Sequence, residues 1–292
     1  MTTCRSATTT KTKPFNLYNP TQTEKAKMSY TTDHSAPVLQ THKWRTLANS
    51  TPYILPHIAP HMQILDIGCG PGSISVDFAR HVPQGHVTGV EYVPEPLEQA
   101  RSLAASEGIA NITFQTGDIH ALPFAENSFD IVHVHQVLQH IKDPVLALRE
   151  MRRVARSGGV VAARESADYV WFPENEGVRA WWTLTEKLSA VKGCTACPGR
   201  FIHVWAREAG FEPRQIRTSA GAWCFSSPEE RAYWGGSMEE RAKDSGLARM
   251  AVEAGLATKE DLEAMARGWR TFVEDDNGWF SVLHGEIICT KP

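Results

Sequence analysis

The chain has 292 residues, 42% of them apolar, and its 30 Lys and Arg face 33 Asp and Glu for a formal charge of −3. That length can bury a sizeable core, in one large domain or two modest ones. The near-balance of charge leaves no electrostatic footprint for nucleic acid or an anionic membrane surface, and no apolar run approaches the ~18 residues that a spanning helix needs. Six scattered cysteines and a Thr-rich start without an apolar stretch argue against a disulfide framework and a signal peptide, and so for a reducing, cytoplasmic setting.

Residues 1–27 are rich in Thr, Lys, Asn and Pro and read as a disordered tail, with a mitochondrial presequence as the alternative. From Pro37 to His61 the pattern is helical, with breaks at Pro52 and Pro56. Strands are then expected at Gln63–Ile67, His86–Glu91, Asn111–Gln115, Asp130–His135 and Gly159–Glu165. Helices are expected at Ser73–His81, Pro94–Glu107 and Pro144–Val154. Nearly continuous apolar strands alternating with helices signal an α/β fold, a doubly wound, mostly parallel sheet covered on both faces.

After Glu165 the alternation stops, and eight of the nine tryptophans lie at or beyond Trp171. The pattern predicts helices at Glu174–Lys192, Pro198–Ala209, Glu229–Lys243 and Lys259–Phe272, with strands Pro213–Ala220 and Trp279–Thr290 completing a sheet of seven. Residues 28–292 therefore read as one domain. Residues 28–61 form a helical cover, 62–165 a ligand-binding core, and 166–292 supply helical insertions and the closing strands.

The strongest motif is the run Leu65-Asp66-Ile67-Gly68-Cys69-Gly70-Pro71-Gly72, which leaves a buried strand and enters a helix. Gly68 permits a tight turn and Gly70 lets a ligand approach the backbone. A dinucleotide fingerprint wants glycine where Ser73 stands, and Asp66 suits a cationic amino group better than a pyrophosphate. Both residues favour S-adenosylmethionine over a nicotinamide cofactor. Glu91 ends the second strand, where a carboxylate can accept ribose hydroxyls; Asp118 and Ile119 follow the third, placed for an adenine amine and ring.

The segments LDIGCGPG, VTGVEYVPEPLEQAR, GDIHALPFAENSFDIV and VLQHIKDPVLALREMRRVARSGGVV carry a wider likeness. From Ile64 to Glu165 the chain resembles the class I S-adenosylmethionine-dependent methyltransferases, whose sheet is Rossmann-like. Within them it resembles the ubiquinone/menaquinone-biosynthesis branch. The resemblance implies Asp66, Gly68 and Gly70 at the methionine part of the cofactor, Glu91 at the ribose, Asp118 and Ile119 at the adenine, and His135 lining the site through its backbone. It further suggests Arg45 at the cofactor carboxylate and Tyr30 closing over the site. The upstream segment HKWRTLANSTPYILPHI and the Trp-rich second half resemble fungal secondary-metabolism members, including thiol methyltransferases of dithiol diketopiperazines such as reduced gliotoxin.

Methyl transfer from a sulfonium is an in-line displacement, so the protein's task is alignment and exclusion of water. His140, in the turn before Lys142-Asp143-Pro144, is the candidate base. Trp171, Phe172, Trp181, Trp182 and Trp223 are candidate walls for a small, hydrophobic acceptor, which the near-neutral charge lets us expect to be uncharged. S-methylation of a dithiol leads; O- or C-methylation of a quinone or polyketide, and a non-catalytic cofactor-binding regulator, are the alternatives. Cys194 and Cys197 have only His203 nearby as a further ligand, so no metal is assigned. A helix starting at Pro198 would lower the Cys197 pKa.

Overall fold

The computed structural model describes residues 41–292; the expected tail, Met28 and Tyr30 lie outside them. Seven strands form one sheet: β1 Gln63–Ile67, β2 His86–Glu91, β3 Ile112–Thr116, β4 Phe129–His135, β5 Ala155–Phe172, β6 Ile216–Phe225 and β7 Trp279–Thr290. Their order is β3-β2-β1-β4-β5-β7-β6. The first five run parallel, and β7 lies antiparallel to both β5 and β6. This is the expected doubly wound, mostly parallel seven-stranded sheet.

Successive side chains of β1 point to opposite faces, and each face has its own cover. Ile64 packs with Ile74, Phe78 and Ala79 of α2 (Ser73–His81), and with Leu47 of α1 (Leu47–Ser50). Leu65 and Ile67 pack on the other side with Ala147, Leu148, Met151 and Val154 of α4 (Pro144–Val154). Helix α3 (Glu95–Ser106) packs against β3 and α2. The Asp143 side chain caps α4 by accepting from the Leu146 N–H, and Pro144 fits its first turn, where no amide hydrogen is needed.

The second half forms a separate aromatic core. Helices α5 (Glu176–Val191), α7 (Pro228–Lys243), α8 (Gly246–Glu253) and α9 (Lys259–Glu274) pack over the outer ends of β5, β6 and β7. Trp181, Trp223, Trp234 and Trp269 are all buried in it. Among the described residues, no helix is long and apolar enough to cross a membrane.

Three expected elements change and one helix is new. Strand β5 continues past Glu165 to Phe172, because β7 pairs with it along its whole outer length, from Val160↔Thr290 to Phe172↔Trp279. Pro213–Gln215 is a 3₁₀ turn, so β6 begins at Ile216 and carries Trp223. The expected helix at Pro198–Ala209 is a 3₁₀ turn, Pro198–Arg200, followed by α6, Ile202–Glu208. Helix α8, set by a Ser245 cap on the Ala248 N–H, was not anticipated.

Candidate functional site

Strand β1 lies between β2 and β4, and the order reverses between β1 and β4, which opens a crevice at their carboxyl ends. The glycine turn leaves β1 there. Gly68 has φ +67, and a Cβ on it would stand 2.4 Å from Val137 Cγ2, so this glycine lets the loops after β1 and β4 touch. Gly70 has φ +52, and the nearest atom to a Cβ there is His42 Nδ1 at 3.8 Å. Only Gly70 leaves room beside the backbone.

The acids around this turn are already ordered. Asp66 is buried and accepts from Ser75 Oγ and, at 2.8 Å, from His133 Nδ1. Glu91 is buried and accepts from the Gly70 N–H at 3.1 Å and the Tyr92 N–H at 2.7 Å. Asp118 is exposed and bonds the backbone and ring of His120, while Ile119 beside it is buried.

The loop after β4 is fixed by β5. Gln136 has φ +54, an uncommon conformation for a residue with a side chain. Its N–H donates to Arg164 O at 2.8 Å, and its Oε1 accepts from Arg45 Nη2 at 2.8 Å. The Glu165 carboxylate accepts the N–H groups of Val137, Leu138 and Gln139 at 2.9, 2.8 and 3.3 Å, capping the turn Leu138–His140. Burial pushes the Glu165 carboxyl up to about 7 despite those bonds. His140, carried by that turn, is pushed down to about 3 by burial and then by the charges of Arg45, Lys192 and Arg241. Burial, Arg45 and Arg164 likewise hold His135 well below the usual imidazole range.

Two cavities meet here. The smaller, ≈ 40 Å³, lies against Asp66, Gly68, Gly70, Glu91 and His135. The larger, ≈ 100 Å³, lies between α5 and α7, with Trp181, Trp182, Tyr169, Trp234, Met238 and Arg241 among its walls. His42, Arg45, Gln136 and His140 line both. On α5, Trp181, Thr185 and Leu188 share one helical face; on α7, Trp234, Met238 and Arg241 do.

The candidate residues distribute unevenly over this geometry. Arg45, Asp66, Gly68, Gly70, Glu91 and His135 come together around the smaller cavity, and His140 stands in the common wall. Trp181 and Trp182 line the larger one. Trp171 packs against the aromatic core, Phe172 is 60% exposed on the sheet surface, and Trp223 is buried beneath the site, its Nε1 donating to Asn49 O at 2.7 Å. Cys197 precedes only a three-residue turn, and burial drives its thiol up to about 12, opposite to the lowering expected from a helix start. Sequence reasoning missed Gln136 and Arg241. Gln136 was findable as the residue just past β4 at the switch point. Nothing local marks which face of α7 would turn inward.

A family model described as a methyltransferase domain matches residues 58–217. The chain belongs to the methyltransferase family. An uncharacterized methyltransferase of Schizosaccharomyces pombe is 32% identical over 274 residues, covering 87% of this chain and 93% of that protein. A protein of Aspergillus luteorubrus named "Probable methyltransferase ltbC" is 27% identical, covering 90% of this chain and 97% of its own. In fold, the chain is similar to a Haemonchus contortus phosphoethanolamine N-methyltransferase solved with S-adenosylhomocysteine, with TM-score 0.50 and 19% identity over 82% of this chain and 52% of the other. This methyltransferase is S-adenosylmethionine-dependent. Its residues fit that cofactor: the open side of Gly70 admits a ligand against the backbone, and the ring nitrogen His135 Nε2, on a residue lining the smaller cavity, is buried without a partner among the described residues.

Proposed function

We propose that this methyltransferase acts on a thiol of a small, apolar acceptor, with dithiols of the diketopiperazine type as the leading class. The observation that carries this reading is the depressed basicity of His140 in the wall common to both cavities. A phenol ionises near pKa 10 and gains much from a base; a thiol near 8.5 already offers a few per cent of its nucleophilic anion at neutral pH. An imidazole pushed down to about 3 stays neutral but has little affinity for the acceptor's proton. A site built this way suits a nucleophile that ionises unaided.

Asp66, Gly68 and Gly70 would hold the methionine part of the cofactor, Arg45 its carboxylate, Glu91 the ribose, and Asp118 with Ile119 the adenine, while His135 closes the floor. Tyr30, outside the described residues, is proposed as a cover. Bound there, the cofactor supplies an electrophilic methyl group on a sulfonium. The protein's own work is placement. Glu165 holds the turn bearing His140, Gln136 ties that turn to Arg45 and β5, and Trp181 and Trp182 keep water from the acceptor side. We read residues 28–292 as one domain on the same grounds, since the two cavities share one sheet.

Incubation with a methyl-labelled donor and reduced dithiol diketopiperazine acceptors tests the reading. Labelled thioether is expected. Methyl ether or C-methyl products from phenolic or quinol acceptors, with thiols refused, would transfer the assignment to the oxygen or carbon alternative. Tight donor binding with no turnover on any of these would favour a regulatory protein.

A further inference from the structure

Three neutral polar atoms on residues of the larger cavity are left unused by the fold itself. Trp182 and Trp234 line the cavity from α5 and α7, and their indole nitrogens are both buried without a partner among the described residues. Gln139, from the turn after β4, adds its Oε1, buried and unpartnered in the same way, while its Nε2 meets His140 Nε2 at 3.2 Å. A buried polar atom without a hydrogen bond forfeits its full desolvation energy, so folded proteins keep few of them. Three around one cavity point to a ligand that completes them.

Ring packing limits what can receive the two indole hydrogens. Tyr169 stacks on Trp182 with centroids 3.6 Å apart and planes at 12°, and Phe225 stacks on Trp234 at 4.5 Å and 12°. An indole N–H lies in the plane of its ring, so neither stacking partner can take it. The edge-on neighbours, Trp269 at 6.3 Å from Trp182 and Trp223 at 6.1 Å from Trp234, offer a π face, a far weaker acceptor than an oxygen lone pair. Indole donates and never accepts, so what both rings lack is a lone pair. A carbonyl oxygen supplies one without carrying a charge into an aromatic core.

We propose that the acceptor carries carbonyl oxygens, and that Trp182 and Trp234 are the specificity residues that receive them. The inference rests on the acceptor cavity assigned above and narrows its occupant. A cyclic diamide of the diketopiperazine type and a quinone share this chemistry, since each sets two carbonyl oxygens on opposite sides of a flat ring. A lactam with a free N–H beside its carbonyl also offers a hydrogen to Gln139 Oε1. A thiol of similar size without carbonyls leaves both indoles unpaired, and a site built to hydrogen-bond its ligand discriminates against such an analogue.

The test is calorimetric binding to the full chain saturated with S-adenosylhomocysteine, with two matched pairs of probes. The cyclic dipeptide of phenylalanine and glycine is compared with its dithioamide, whose sulfurs accept hydrogen bonds poorly, and dimethylnaphthoquinone with dimethylnaphthalene. In at least one pair the carbonyl member should bind about tenfold tighter. Trp182→Phe and Trp234→Phe keep a stacking ring and remove the N–H. Each should cut the preference about threefold and the double variant should erase it, with affinity for S-adenosylhomocysteine and for the carbonyl-free member within about twofold of the parent. In the parent chain carrying isotope-labelled tryptophan, the two indole N–H resonances missing from the variants should move downfield with the carbonyl member alone. A preference in the first pair only identifies a lactam; in the second only, a quinone. Equal binding within both pairs, no binding by any of the four, indole resonances that respond alike to both members, or a preference that survives the double substitution would overturn the inference. If the carbonyl members bind as expected but no thioether forms, the thiol assignment fails and the indole seat stands. Thioether formed as readily from benzenedithiol as from a dithiol diketopiperazine would keep the thiol assignment and remove the seat.

Discussion

Gly68 and Gly70 sit two residues apart in one turn and answer to different demands. At Gly68 a side chain collides with Val137; at Gly70 it enters the smaller cavity. Both hold left-handed backbone, which costs a non-glycine residue ~1–2 kcal/mol. Gly70→Ala is expected to lose about that much stability and at least tenfold in S-adenosylmethionine affinity. Gly68→Ala should lose more stability, by roughly a further 1–3 kcal/mol for the forced overlap. Urea unfolding and calorimetric titration check both; equal donor affinity in Gly70→Ala and the parent would remove Gly70 from the site. These residues were legible in the sequence because strand, turn and acid lie within a few positions of each other. The weak basicity of His140 was not, since Arg241, which helps suppress it, lies a hundred residues downstream in another helix.

At the scale of elements, the parallel half could be read closely because each strand is buried on both sides and its apolar run states its limits. The antiparallel half could not. Asp168, Val170 and Phe172 face outward, so the outer part of β5 alternates and lacks a continuous apolar signal, and only its pairing with β7 defines it. The tryptophans misled in the same way, because composition cannot separate a cavity wall from a core. Trp182 stacks on Tyr169 at 3.6 Å and lines the cavity, whereas Trp223 lies under it, among Trp44, His135 and His284. Trp182→Leu should therefore raise the acceptor KM about tenfold and leave donor affinity alone. Trp223→Ala should instead lower stability by about 3–5 kcal/mol, as for other large core truncations. Steady-state kinetics beside urea unfolding separates the two; a pure KM effect from Trp223→Ala would return that residue to the acceptor site.

For the whole molecule, buried ionisable groups set an acid limit. His140 is pushed down to about 3 and His284 to about 2, and His135 moves the same way, all chiefly through burial. Each takes up a proton on unfolding below about pH 6.5, so each removes stability as pH falls. Glu165, pushed up to about 7, has the opposite sign: the folded state binds its proton more tightly, which favours folding as pH falls from about 7 toward 4.5. Three histidines against one carboxyl leave about two protons net, so stability should drop by up to ~2.7 kcal/mol per pH unit between pH 6 and 5. Glu165→Gln removes the opposing term, and its slope should steepen by about one proton. Urea midpoints across this range test the balance; a slope that is flat in the parent, or unchanged in Glu165→Gln, would contradict it.

The order of the cavity walls along the chain carries its own consequence. Every residue lining the smaller cavity lies between His42 and His140, whereas most of the larger cavity is drawn from Ser166 to Val282. On the proposed reading, donor and acceptor recognition are thus written in consecutive halves of one polypeptide and spliced at four shared side chains. A new acceptor can be acquired by rewriting the inward faces of α5 and α7 while the donor half is inherited intact. On that reading the second half is the natural place to exchange segments between relatives when a different product is wanted.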